Sequence, residues 1–171
     1  MKIIEAMKRV KGNKEKIVDL QTKIGQVSAN LSIETPVYGQ ETSGKIKEWA
    51  QACDDLTQEN VRLLTAVART NLATPVTIKL GDKSVAKSIA EWVWRRREYA
   101  ALDYKTWASM GDKGLKEGHF PSSTGVVTEV KIVRHYDPER RDKMITMYKS
   151  EPREIDSALE VINAVTDLIE V

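Results

Sequence analysis

The sequence contains very little cysteine, phenylalanine and proline. Its 171 residues include one cysteine, one phenylalanine and five prolines. The single cysteine, Cys53, excludes an intramolecular disulfide and a cysteine-based zinc site. Charged residues make up 30% of the chain, and this charge with so few phenylalanines and prolines favours long exposed helices over a deep globular core.

Signals for membranes and for common cofactors are also missing. No run of about 18 apolar residues occurs, so we expect no membrane span. The opening "MKIIEAMKRVKGNKEK" returns to charged residues at once, which excludes a secretory signal and favours synthesis in the cytoplasm. There is no phosphate-binding loop, dinucleotide fingerprint, paired-histidine zinc motif or calcium loop. We therefore expect no cofactor and no metal.

The residues that could carry chemistry are few. His135 and Asp137 in "RHYD" could resemble a base with an orienting acid, but a surface histidine before a helix cap is the simpler interpretation. His119 falls in a glycine-rich loop. Cys53 lies on an apolar helical seam and is followed by two acids, which disfavour a reactive thiolate. These patterns predict a protein that is not an enzyme, with no catalytic residues.

Two segments show heptad spacing. In the first, apolar positions alternate with polar ones along one predicted seam: Ile3, Met7, Val10, Lys14, Ile17, Gln21, Ile24, Ser28 and Leu31. In the second, the seam is Ile46, Trp49, Cys53, Leu56, Asn60, Leu63 and Val67. Spacings of three and four predict two amphipathic helices, joined by a short loop as an antiparallel hairpin over residues 1–70.

The rest of the chain predicts a mixture of short strands and helices. Alternation predicts strands at residues 76–80 and 126–133, which we expect to pair as one small β ribbon. Ser84 is expected to cap a helix over residues 85–110, followed by a glycine-rich loop. Asp137 and Pro138 mark the start of the last helical region, which Pro152 is expected to kink or split.

These elements predict a mostly α fold: a long antiparallel helical hairpin with further helices and a small two-stranded β ribbon. We expect a single elongated helical domain over residues 1–171. Its parts are the heptad hairpin (1–70), the ribbon with an aromatic-rich helix (71–135) and the C-terminal helices (136–171).

Charge is distributed unevenly along the chain. Residues 1–30 hold seven basic and three acidic side chains, a net +4, and residues 150–171 hold one basic and six acidic side chains, a net −5. The basic first helix and the acidic last helix could therefore lie together, within one chain or between copies. The overall net charge of +2 is too small to imply a polyanionic partner by itself.

The stretch "EWVWRRREYAALDYKTW", residues 91–107, mixes aromatic residues with arginines. On a regular helix Arg95, Arg96 and Arg97 point in three directions, about 100° apart, so they make no single basic face. Trp92 and Tyr99 lie in one row and Tyr104 and Trp107 in the neighbouring one, which predicts a helix buried on more than one side, while Trp94 is expected to point mostly outward. We interpret it as core or subunit interface rather than as a nucleic-acid contact, and expect Arg95 and Arg96 to pair with carboxylates of a neighbour, for example those of the acidic last helix. The predicted interface residues are Trp92, Arg95, Arg96, Arg97, Tyr99, Tyr104 and Trp107.

The order of elements resembles the septicolysin-like family of small helical proteins. The resemblance lies in the start "MKIIEAMKR", the segment "RTNLAT", the turn and helix "LGDKSVAKSIAEWVWRRR", and "TEVKIV" with the helix after it. It implies helical hairpins with a small β ribbon and self-association, and it brings no catalytic residues. Similar coil-rich proteins are encoded among bacteriophage structural genes. The sequence departs from the family pattern at Pro152 and in its unusually aromatic third helix.

We therefore expect a non-enzymatic, self-assembling structural protein, a bacteriophage virion component that is capsid-associated or at the head–tail junction. Its partners would be further copies of itself and other virion or assembly proteins, with no membrane. One alternative is a nucleic-acid-binding or assembly-regulating protein, which would use the basic first helix and the three arginines. Another is a membrane-active toxin, as the name of the family suggests.

Overall fold

The computed structural model describes residues 1–121 and 123–169. The chain is 64% helical and has two small two-stranded antiparallel sheets in the described residues, which confirms the mostly α fold. It divides into two compact units, and the single elongated domain stays a prediction. The first consists of Met1–Pro75, Ser88–Ala90 and Leu159–Val171, and the second of Val76–Lys87 and Glu91–Ala158.

The first unit is built on an antiparallel pair of helices. Helix α1 spans Ile3–Val27 and helix α2 spans Thr42–Ala73. Asn13 contacts Asn60, whereas Ile17, one turn further along α1, contacts Cys53, nearly two turns back along α2. Contact positions that advance on one helix and retreat on the other define an antiparallel hairpin, as the heptads predicted.

The seam of α1 differs from the predicted one. Its buried and half-buried residues follow a heptad through Ile3, Ala6, Val10, Asn13, Ile17, Leu20, Ile24 and Val27. The predicted seam shares four of these positions, but its intervening members, Met7, Lys14, Gln21 and Ser28, are exposed. Met7 was predicted as a seam residue because it is larger than Ala6, but Ala6 is the residue that is completely buried. For α2, every predicted seam residue is buried or half-buried.

A pair of asparagines lies in the seam between α1 and α2. The Asn13 amide donates to Asn60 Oδ1 at 3.1 Å and to Glu59 Oε2 at 2.9 Å, and Glu59 also forms an ion pair with Arg9. Both asparagines are buried. Because shifting either helix would leave these buried amides without partners, the pair fixes the register of the hairpin at some cost in stability.

The two ends of the chain meet within the first unit. Lys2 Nζ donates to Asp167 Oδ2 at 2.6 Å, and Leu168 N–H donates to the Met1 carbonyl at 2.8 Å. The Lys2 ammonium lowers the pKa of the Asp167 carboxyl, chiefly through this hydrogen bond. Lys2 and Asp167, which flank α1 and the last helix, thus form an ion pair, and the expectation that the two helices themselves lie together stays a prediction.

A hairpin contributes the first sheet, and this differs from the predicted ribbon. Strand β1 spans Pro75–Leu80 and pairs with β2, Lys83–Ser88. Gly81 begins the two-residue turn with φ of 58°, which favours glycine. Ser84 is therefore a strand residue rather than a helix cap. The segment alternates Lys83, Val85 and Lys87 on one face, so local pairing with β1 prevails over helix formation.

The third helix begins at Ile89, directly after β2. It comprises α3, Ile89–Trp94, a π-helical stretch at Arg95–Tyr99, and α4, Ala100–Ala108. The second sheet follows in the predicted glycine-rich loop, where β3, Gly118–Pro121, pairs antiparallel with β4, Val127–Val130. Each predicted strand thus pairs with its neighbour in sequence, because short turns make local hairpins easier to close than a distant ribbon.

Helix α5 spans Pro138–Val165. Asp137 Oδ1 accepts the backbone N–H groups of Glu139 and Arg140, which confirms Asp137 as the N-cap. The expected split at Pro152 is wrong, because the helix continues through this residue. Proline removes one hydrogen bond to the carbonyl of Tyr148, and the rest of the helix still forms.

Candidate functional site

The arginine triplet lies in the π-helical stretch of the third helix. Ala100 N–H donates to the Arg95 carbonyl, five residues back, so the turn is one residue wider than an α-turn. Single π turns are rare and frequently occur at functional sites. This stretch changes which side chains share a face, and the regular helix assumed from the sequence does not describe it.

Arg95 is held by two carboxylates. Its Nε and Nη2 donate to Glu151 at 2.6 and 2.9 Å, and its Nη1 donates to Asp103 at 2.6 Å. Its guanidinium carbon also lies 5.3 Å from the centre of the Tyr148 ring. Glu151 is only 1% exposed, so this two-point contact supplies the charge partner that a buried carboxylate requires. The hydrogen bond that Arg95 donates to Glu151 is the main cause of the raised pKa of Arg95.

The other two arginines have different environments. Arg96 forms a close ion pair with Asp156 on α5. This contact and that of Arg95 with Glu151 confirm that both arginines pair with acids of the last helix, here within one chain. Arg97 is exposed, and it has no ion-pair partner among residues 1–121 and 123–169.

Trp92 was predicted as an interface residue, but its position in the structure excludes it from a direct contact with a partner. Its side chain is completely buried in the chain's own core, and its indole N–H donates to the Val76 carbonyl at 3.0 Å. A side chain with no exposed surface cannot contact a second molecule directly. Trp107 is half-buried beneath the Arg140 guanidinium, 5.7 Å from the ring centre, and therefore also has a partner within the chain.

The most exposed large hydrophobic side chains of the third helix are Trp94 at 60%, Tyr99 at 49% and Leu102 at 45%. Residues five apart are about 140° apart on a regular α-helix. In a π turn residues five apart are joined by backbone hydrogen bonds, so we infer that Trp94 and Tyr99 lie towards one side of this helix. Leu102 is three residues beyond Tyr99 and extends the same row. We call Trp94, Tyr99 and Leu102 the exposed stripe.

The predicted burial of this helix on more than one side is not reached within a single chain. Of residues 91–107, only Trp92 and Ala100 are buried. The prediction of interface residues included Tyr99 and missed Trp94 and Leu102. Tyr104, at 36% exposed, lies beside the buried side. The repeated bulky residues were visible in the sequence, but the π turn that aligns them was not.

The residues considered for catalysis do not form a cluster. His119 and His135 are exposed, and Cys53 is half-buried with its Sγ 4.0 Å from the Ile17 carbonyl oxygen. Within the part of the chain that the structure describes, no three His, Cys, Asp or Glu side chains are grouped as metal ligands would be. No helix in that part is both long enough and apolar enough to cross a membrane.

Comparison with known proteins gives one structural relative that is informative about the fold. A crystal structure of a conserved protein of unknown function from Corynebacterium diphtheriae is similar, with a TM-score of 0.56 and 17% identity over 99% of each chain. At this identity the likeness extends to the fold alone. No protein-family model matches the chain. No curated protein matches it either, and the septicolysin-like resemblance stays a prediction.

Proposed function

We propose that the protein is a non-enzymatic structural protein that self-assembles through the exposed stripe on its third helix. The observation that carries this proposal is an apolar row on the outer side of a helix whose opposite side is anchored by ion pairs. Arg95 and Arg96 attach the helix to α5, so the stripe is presented on a fixed backbone. Preorganised aromatic side chains are typical of interface centres, because little conformational entropy is lost when they are covered.

The surroundings of the stripe also suit a protein partner. Arg97 and Tyr104 complete the part of the predicted interface that remains exposed. Arg97 is exposed and has no ion-pair partner in the described residues, so its guanidinium can lie over an aromatic ring such as Tyr99 of a second copy. The roles of the predicted interface residues are thereby divided: Trp92, Arg95, Arg96 and Trp107 hold the helix in place, and the exposed residues contact the partner.

The size of the exposed stripe sets the expected strength of association. Three large side chains exposed to about half of their area offer roughly 300 Å² per copy. A standard interface takes about 800 Å² from each partner. The stripe supplies the centre of such an interface and requires surrounding polar contacts, so we expect association that depends on concentration in the micromolar range.

The setting that we propose is a bacteriophage virion, as a capsid-associated or head–tail component. This part of the proposal is supported by the sequence alone, through the coil-rich pattern and the absence of recognisable catalytic motifs. The genomic neighbourhood tests it: adjacent capsid, portal or tail genes would support the setting, and a neighbourhood of metabolic genes would contradict it.

Static light scattering over a dilution series tests the self-assembly itself. The account predicts a mass that rises above that of one chain as the micromolar concentration increases. A mass of one chain at every concentration would contradict the proposal.

Nucleic-acid binding is a second candidate function, which the lysines of α1 favour. Lys8, Lys11, Lys14, Lys16 and Lys23 are all exposed on this helix. The third helix supports this function less, because Arg95 and Arg96 are already paired and only Arg97 remains available. DNA binding that weakens steeply with salt would support it. Absence of binding at about 50 mM salt would dismiss it.

A further inference from the structure

The second unit contains a cleft of about 1030 Å³. One wall is the β1–β2 hairpin and the other is the first half of α5, with the buried Trp92 and the paired Arg95 and Glu151 also in its lining. Small-molecule sites usually have volumes of about 300–1,000 Å³ and combine a mainly apolar surface with a few polar groups. The volume of the cleft is just above this range. None of the residues of the exposed stripe lines the cleft.

The apolar part of the lining comes from both walls. The hairpin contributes Leu80 and Val85, and α5 contributes Met144 and Met147. The two methionines are three residues apart and therefore adjacent on the helix surface. Unbranched thioether side chains adjust to ligands of different shape, so this surface suits an apolar body rather than one rigid outline.

Three lysines supply the charged part of the lining. Lys83 and Lys87 lie on the same face of β2, because they are four residues apart on a strand, and Lys143 comes from α5. None of the three has an ion-pair partner in the described portion of the molecule. Unpaired ammonium groups from both walls, next to apolar surface, favour a ligand with one negative end.

The acidic residues of the lining do not cancel this charge fully. Glu151 is committed to Arg95, and Asp142 is paired with Arg141 outside the lining. Glu154 accepts a hydrogen bond from Ser150. Asp82 and Glu154 have no ion-pair partner in the described residues, but the three lysines outnumber these two carboxylates, so the lining keeps an excess of positive charge.

We propose that this cleft binds an anionic amphiphile. Its apolar body would lie against Leu80, Val85, Met144 and Met147, and its anionic end would be held by Lys83, Lys87 and Lys143. The anionic end can belong to a free fatty acid or to an anionic lipid in a bilayer, which offer the same chemistry. This inference is independent of self-assembly, since it uses neither the exposed stripe nor a second copy.

The test is calorimetric titration with dodecanoate below its critical micelle concentration, compared with dodecyltrimethylammonium, which has the same chain and the opposite charge. We expect dodecanoate to bind one molecule per chain, and the cationic compound to bind at least about tenfold more weakly. The double variant Lys83→Gln, Lys143→Gln should weaken dodecanoate binding about tenfold. Lys149→Gln, which changes an exposed lysine of α5 outside the lining, should bind as the wild type does.

A second arm distinguishes the two sources of the ligand. Co-sedimentation with vesicles that contain an anionic phospholipid, if lost in the double variant and kept in Lys149→Gln, would assign the site to a membrane lipid. Dodecanoate binding without vesicle binding would assign it to a free acid. Equal binding of both surfactants, equal loss in the double variant and the Lys149→Gln control, or no binding to dodecanoate or vesicles would each overturn the proposal. Circular dichroism of every variant shows that loss of binding is not loss of fold.

Discussion

The buried Glu151 is the strongest test of how the third helix is held. Replacing it with alanine removes both hydrogen bonds from Arg95, whose side chain is only 21% exposed in the wild type. Removing one member of a buried ion pair costs about 3–5 kcal/mol. Arg95 keeps Asp103 as a second partner, so we expect the lower end, about 3 kcal/mol. Glu151→Gln preserves the shape and one acceptor, and should cost about 2 kcal/mol.

Urea unfolding followed by tryptophan fluorescence measures this loss, because three of the four tryptophans belong to the second unit. With a slope of about 2 kcal/mol per molar urea, the midpoint of Glu151→Ala should fall by about 1.5 M. Glu160→Ala is the matched control, since Glu160 is an exposed acid on the same helix, and it should change stability by less than about 0.5 kcal/mol. Equal, small losses in Glu151→Ala and Glu160→Ala would refute the reasoning that the Arg95 contact anchors the helix.

Three further predictions concern the hairpins and the chain ends. Asn13→Ala leaves its buried asparagine partner unpaired and should cost about 1–3 kcal/mol in urea unfolding, whereas Gln21→Ala, exposed on the same helix, should be nearly neutral. Because the pKa of Asp167 is lowered in the folded state, its contribution to the free energy of unfolding is present above the unfolded-state pKa and is lost as the pH falls through the folded-state pKa. Asp167→Asn should therefore flatten the acid side of a plot of unfolding free energy against pH, and an unchanged plot would contradict this. Gly81→Ala places a side chain at φ of 58° and should cost about 1 kcal/mol in thermal unfolding, whereas Gly12→Ala, with open space inside α1, should stabilise by about 0.5–1 kcal/mol; a harmless Gly81→Ala would show that the turn is not strained.

The sequence predicted the buried side of a helix best where large hydrophobic residues recur in a single heptad pattern. Every residue of the predicted α2 seam is buried or half-buried, because Trp49, Leu56 and Leu63 are large residues at heptad spacing, although the small buried residues Ala66 and Thr70 were missed. In α1 two overlapping heptads share Ile3 and Val10, and residue size favoured the wrong one. Burial in a close helix pair is decided by which side faces the partner, and that information is not present in either helix alone.

The candidate site could be predicted only in part for a different reason. Pairing of Arg95 and Arg96 with the acidic last helix followed from charge. The direction of each aromatic side chain depended on the π turn, which shifts the residues after it around the helix axis. Trp92 shows the same limit, since the sequence marked it as an interface residue and the fold places it in the core.

Sedimentation equilibrium of the double variant Trp94→Ala, Leu102→Ala tests the central claim most directly. Both side chains are exposed, so their removal should leave the fold intact while weakening association. Truncation at an interface centre often costs 2 kcal/mol or more, and the account predicts an association constant at least about thirtyfold lower than that of the wild type. Leu64→Ala, which removes a similarly exposed leucine from α2, should associate as the wild type does. Unchanged association of the double variant, or a wild type that remains a single chain, would contradict the account.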